Sequence, residues 1–100
     1  MSSYLNHLVG MSVTAVDEAD DSMWLRFDGC SFRSFTKHIC SVPLGSLVGN
    51  SAKSVSLIPD QGLAIHFSNG GSLSVSLAPE HYTGPEAFVA QFLDGTCVVQ

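Results

Sequence analysis

The alternation of apolar and polar positions is sharpest between Gly62 and Leu77. Leu63, Ile65 and Phe67 alternate with Ala64 and His66, and after Asn69-Gly70-Gly71 the residues Leu73, Val75 and Leu77 alternate with Ser72, Ser74 and Ser76. Two period-2 runs joined by residues that tolerate positive φ predict a β-hairpin with one buried and one wet face. A weaker copy of the pattern lies upstream. Met11, Val13 and Ala15 alternate with Ser12, Thr14 and Val16; Asp17-Glu18-Ala19-Asp20-Asp21-Ser22 follows, and Met23 to Phe27 places Met23, Leu25 and Phe27 on one face and Trp24 and Arg26 on the other. The acidic run reads as a turn between two strands.

The two stretches read as one repeated unit. Val13-x-x-Val16, the acidic turn, Leu25-x-Phe27, Gly29 and Phe32 run parallel to Val55-x-x-Ile58, Pro59-Asp60-Gln61-Gly62, Ile65-x-Phe67, Gly70 and Leu73. Recurrent meander grammar explains the match about as well as duplication does, and both predict two three-stranded meanders.

The flanks are less regular. Tyr4, Leu5, Leu8 and Val9 between Ser2-Ser3 and Gly10 predict one or two helical turns with a serine cap and a glycine stop. Phe32, Phe35, Ile39 and Val42 have helical spacing, but the repeat favours a strand to about Phe35, irregular chain after it, and a loop around Pro43, Gly45, Gly49 and Asn50. Near the C-terminus, Thr83 and Glu86 have capping-box spacing around Pro85, whereas Asp94-Gly95 between two apolar runs is a hairpin signal. The preferred reading is a single turn at Pro85 to Ala87 and then a hairpin; the alternative is a short helix from Gly84 to Leu93.

The fold expected is therefore mainly β with minor helix: two antiparallel β-meanders forming a curved sheet, small sandwich or half-barrel, with a short N-terminal helix and a C-terminal hairpin or short helix. A chain of 100 residues suffices for one such domain, residues 1–100, around one core.

Charge narrows the function classes. Only 13% of residues are charged and 45% are hydrophobic, so much of the surface is uncharged and suited to meeting a copy of itself or a different protein. Four cations (Arg26, Arg33, Lys37 and Lys53) against nine acids give a net charge of -5. Scattered cations do not supply the counterion release that nucleic-acid binding needs, so no direct nucleic-acid contact is expected. No run of roughly 20 apolar residues predicts a membrane span. Cys30, Cys40 and Cys97 form an odd set without a close pair, and the N-terminus lacks a signal-peptide pattern, so a reducing cytoplasm is the expected compartment.

No nucleophile elbow, phosphate loop or zinc helix is present in the sequence. No enzyme activity, metal or cofactor is expected. The Cys-His combinations around His38 and Cys40 match no compact zinc spacing, and Cys97, in register with Val99, reads as core. Two surface features remain as partner-binding candidates. Asp17, Glu18, Asp20 and Asp21 form an acidic tip able to steer a basic partner. His66 and Ser74 belong to an uncharged face that Ser54, Ser56, Ser72 and Ser76 share, and nothing on it repels another backbone.

Leu8-Val9-Gly10, Val13-x-x-Val16, Leu25-x-Phe27-x-Gly29, Ile65-x-Phe67-Ser68-Asn69-Gly70, Gly84-Pro85-Glu86-Ala87 and Asp94-Gly95-x-x-Val98-Val99 together resemble a group of small bacterial β-rich proteins of the toxin-immunity type. The resemblance implies an immunity protein that binds a cognate toxin domain and neutralises it without catalysis. An acidic chain suits a basic toxin. The alternative is a self-associating structural module of a larger assembly, and a third reading is a small enzyme with a His/Cys site.

Overall fold

A computed structural model describes residues 4–19, 22–58, 61–81 and 87–99. Nine strands are present among them: β1 (Val13–Ala19), β2 (Ser22–Phe27), β3 (Cys30–Ser34), β4 (His38–Cys40), β5 (Ala52–Ile58), β6 (Gly62–Phe67), β7 (Ser72–Ser76), β8 (Phe88–Phe92) and β9 (Cys97–Val99). Short 3-10 helices cover Tyr4–Leu8, Leu44–Leu47 and Pro79–His81. The strands form two antiparallel sheets, one of five strands in the order β1-β2-β3-β8-β9 and one of four in the order β4-β7-β6-β5. Their inner faces share one core, in which Met23, Leu25 and Phe32 from the first sheet join Leu63, Ile65 and Leu73 from the second. Phe27 stacks on Phe67 between the sheets with centroids 6.5 Å apart, and Phe32 on Phe88 at 5.2 Å. Offset aromatic pairs of this kind add about 0.5–1.5 kcal/mol each beyond their buried area.

Both meanders form, and β2 and β6 have the same burial pattern, residue by residue; in β1 the alternation does not hold throughout, because a register shift after Val13 turns Ala15 outward and Val16 toward the core. The repeat extends beyond them. Leu5, Leu8, Val9, Gly10 and Ser12 recur at the same spacing as Leu44, Leu47, Val48, Gly49 and Ser51. Each set ends a 3-10 helix at a glycine with positive φ, Gly10 at 91° and Gly49 at 88°, where a side chain would be strained. The Gly10 N–H donates to Ala52 O and the Gly49 N–H to Val13 O, both at 2.8 Å; the Ala52 N–H donates to Met11 O and the Val13 N–H to Asn50 O, both at 2.9 Å. A register shift then interrupts the ladder at Val13/Ala15 and again at Ala52/Ser54. Val13 therefore corresponds to Ala52, and Val16 to Val55. This corrects the alignment of Val13 with Val55 that apolar spacing suggests, because a bulge adds a residue that breaks the period.

The halves also exchange elements. The first 3-10 helix packs on β5 and the second on β1. The strand after the first meander, β4, pairs with β7, and the strand after the second, β8, pairs with β3. The correspondence is strict in register, since Phe88 faces Ser34 as His38 faces Val75. Each half thus completes the other's sheet, an arrangement with approximate two-fold symmetry; β9 is an addition to the first sheet alone.

Four expectations need correction. Asp17 and Glu18 are not in a turn: β1 runs on to Ala19, with Asp17 opposite Trp24 and Glu18 opposite Met23. His38–Cys40 is a strand and Leu44–Leu47 a 3-10 helix within the stretch read as irregular. Residues 88–92 are a strand, so the helical alternative up to Leu93 fails and the hairpin of β8 and β9 stands. Cys97 is exposed and Val98 faces inward, because Val98 pairs with the buried Ala90. The serine cap of the first helix, Asp20 and Asp21, and the expected turn at Pro85 lie outside the described residues or reach beyond them.

Candidate partner-binding faces

The four candidate residues that are described, Asp17, Glu18, His66 and Ser74, do not converge. Asp17 lies on the outer face of the five-stranded sheet, and His66 and Ser74 on the outer face of the four-stranded sheet, across the core from it. The Glu18 carboxylate instead meets His38 Nε2 at 2.7 Å, linking β1 at the edge of one sheet to β4 at the edge of the other. Asp20 and Asp21 are outside the described residues.

On the outer face of the five-stranded sheet, register places Asp17, Trp24, Arg33, Val89 and Val99 side by side in one row, and Ala15, Arg26, Ser31, Gln91 and Cys97 in the next. Alternation in β2 and β3 puts Trp24, Arg26 and Arg33 outward because Met23, Leu25, Phe27 and Phe32 are held in the core. The Trp24 indole is fixed from two sides. Its Nε1–H donates to Ser31 Oγ at 2.7 Å, and the Arg26 guanidinium lies over the ring, with Cζ 4.1 Å from the centroid. Arg33 Cζ is 5.2 Å from the same centroid and 5.5 Å from that of Phe35. Stacking on aromatic faces orders a guanidinium while leaving its N–H edge available to an acceptor. No carboxylate pairs with either arginine among the described residues. Trp24 and Arg26 form a ridge between two depressions, one of about 550 Å³ bordered by Ser31, Gln91 and Leu93, the other of about 230 Å³ bordered by Ala15 and Asp17.

The related positions on the four-stranded sheet have different chemistry. Ser56, Ala64, Ser74 and Ile39 stand in the row where the other sheet has Asp17, Trp24, Arg33 and Val89, and His66 stands where it has Arg26. Small side chains in place of the tryptophan and arginine leave a groove of about 430 Å³. At one end of it the Ser76 hydroxyl meets His81 Nδ1 at 2.6 Å and accepts the Ala78 N–H at 3.2 Å, which ties the imidazole to the turn after β7. His66 is exposed on this face, as alternation predicts, with Ser54 and Ser72 as its cross-strand neighbours.

The cysteines are chemically unequal. Burial pushes the Cys30 thiol up to about 12, whereas Cys97 is exposed. Among the described residues no group of three or more His, Cys, Asp or Glu side chains gathers to hold a metal ion, and no helix is long and apolar enough to cross a membrane.

The chain matches no family model, no curated protein and no solved structure. The acidic run and the serine face were visible as sequence features. The Trp24 cluster is not legible in the sequence: alternation sets Trp24 and Arg26 together on one face, but Arg33 joins them only through the pairing of β2 with β3.

Proposed function

We propose that this chain is a non-catalytic protein-binding module of the toxin-neutralising immunity type, and that it grips its partner with the outer face of the five-stranded sheet. The observation that carries the reading is Trp24, pinned by Ser31 and flanked by two arginines without carboxylate partners among the described residues. Tryptophan and arginine dominate the energetics of protein interfaces when they are held in place before binding. The partner's contact surface offers carboxylates to Arg26 and Arg33 and a donor to Asp17. A net charge of -5 draws in a partner that is basic overall, and the row of Asp17, Trp24 and Arg33 then sets its orientation.

Co-expression with the product of the adjacent gene tests the reading. A stable complex and rescue of growth from that product's toxicity are expected; neither complex nor rescue would overturn it.

A further inference from the structure

At one end of the paired sheets the two halves differ in a consistent way. Register places Glu18, Met23, Ser34 and Phe88 in one row on the core side of the five-stranded sheet, and Leu57, Leu63, Val75 and His38 in the corresponding row of the other. Position by position, Leu57 stands where the first half has Glu18, Val75 where it has Ser34, Leu77 where it has Thr36, and Phe88 where β4 has His38. The four apolar residues are in the core or packed on it. Three of the four polar ones bear on β4: Glu18 and His38 meet across the seam between the sheets, and Thr36 lies in the three-residue link from β3 to β4.

Strand β4 is correspondingly weakly held. It has three residues where its counterpart β8 has five, and it lies at the edge of its sheet, paired with β7, whereas β8 lies between β3 and β9. Of its side chains, Ile39 is 74% exposed, Cys40 packs partly on the core, and His38 turns to the Glu18 carboxylate. Little apolar surface is therefore given up when β4 leaves. The Thr36 hydroxyl, buried without a hydrogen-bond partner among the described residues, gains water when it does. We propose that β4 is a displaceable strand, latched by the Glu18–His38 contact, that parts from β7 while the rest of both sheets stays formed. Its release bares the backbone edge of β7 and removes Ile39 from the border of the outer groove.

Amide hydrogen exchange of the full chain, followed residue by residue by NMR, tests the proposal, because one backbone bond has a twin in each half. The Ser76 N–H donates to Lys37 O at 2.9 Å, beside β4, as the Phe35 N–H donates to Ala87 O at 2.7 Å, beside β8. The Ser41 N–H, which donates to Ser72 O at 2.9 Å, closes the other end of β4. Ser76 and Ser41 are expected to be protected at least about tenfold less than Phe35 and to exchange at a rate that low urea leaves unchanged, while Phe35 accelerates with urea as global unfolding does. Glu18→Ala is expected to speed Ser76 and Ser41 about threefold, and Thr36→Val to slow them about fivefold. Neither substitution adjoins the residues read, and slower exchange does not arise from a misfolded variant. Equal protection and equal urea dependence of Ser76 and Phe35, or rates at Ser76 and Ser41 indifferent to either substitution, would overturn the proposal.

Discussion

Ser34 and Thr36 bring hydroxyls into the interior, 0% and 3% exposed, and neither has a hydrogen-bond partner among the described residues. Leaving such a group unpaired costs about 1–3 kcal/mol. The second half avoids that cost: Val75 faces Leu63 as Ser34 faces Met23, and Leu77 follows Val75 as Thr36 follows Ser34. Ser34→Ala and Thr36→Val are therefore each expected to raise the unfolding free energy by about 1 kcal/mol in a denaturant titration, and a loss of stability would contradict the assignment. At Cys30 the sign of the pH effect follows from burial. The thiol ionises near 9 when unfolded and only at about 12 when folded, so its contribution is complete below pH 9 and is lost as pH rises from 9 toward 12. Cys30→Ala should flatten that alkaline decline. At pH 8 a thiol reagent should label Cys97 quickly and Cys30 only on unfolding.

Gly10 and Gly49 do the same work in the two halves, turning the chain from a 3-10 helix toward the other half's strand. A Cβ at either meets nothing within 4 Å, so the cost of alanine comes from the positive φ alone, about 1–2 kcal/mol. Gly45 also has open space but no positive φ, so Gly45→Ala is expected to be neutral or slightly stabilising. Equal costs at all three positions in thermal melts would contradict this account. The same scale explains what could be read from sequence. The meanders were legible because Met23, Leu25, Phe27 and Leu63, Ile65, Phe67 are sorted by burial on a strict period of two. Strand β4 was not: three residues hold too little period, and its central residue, Ile39, points outward. Asp17 and Glu18 read as a turn because acids favour turns, yet β1 continues through them because an edge strand accepts such residues. The repeated Leu-x-x-Leu-Val-Gly-x-Ser was present in the sequence and would have placed the second 3-10 helix and fixed the repeat's alignment.

For the whole molecule, exchange means that neither half has a complete sheet of its own, since β4 and β8 each complete the other half's. Unfolding should then be a single cooperative event. Trp24, the only tryptophan, reports the five-stranded sheet, while far-ultraviolet circular dichroism reports both sheets. The two denaturation curves are expected to coincide; separate midpoints would show that the sheets unfold independently. Such a scaffold holds two outer faces on one core and lets their side chains diverge, Trp24 against Ala64 and Arg33 against Ser74. One face carries the ridge of Trp24 and Arg26, the other a groove. The most direct test of the partner-binding claim is the affinity for the adjacent gene's product, measured by calorimetry on wild type, Trp24→Ala and Ser74→Asp. The account predicts binding that weakens at least about thirtyfold in Trp24→Ala, as expected for an interface anchor worth about 2 kcal/mol, and is unchanged in Ser74→Asp. Full affinity in Trp24→Ala, or no binding by the wild type, would contradict it.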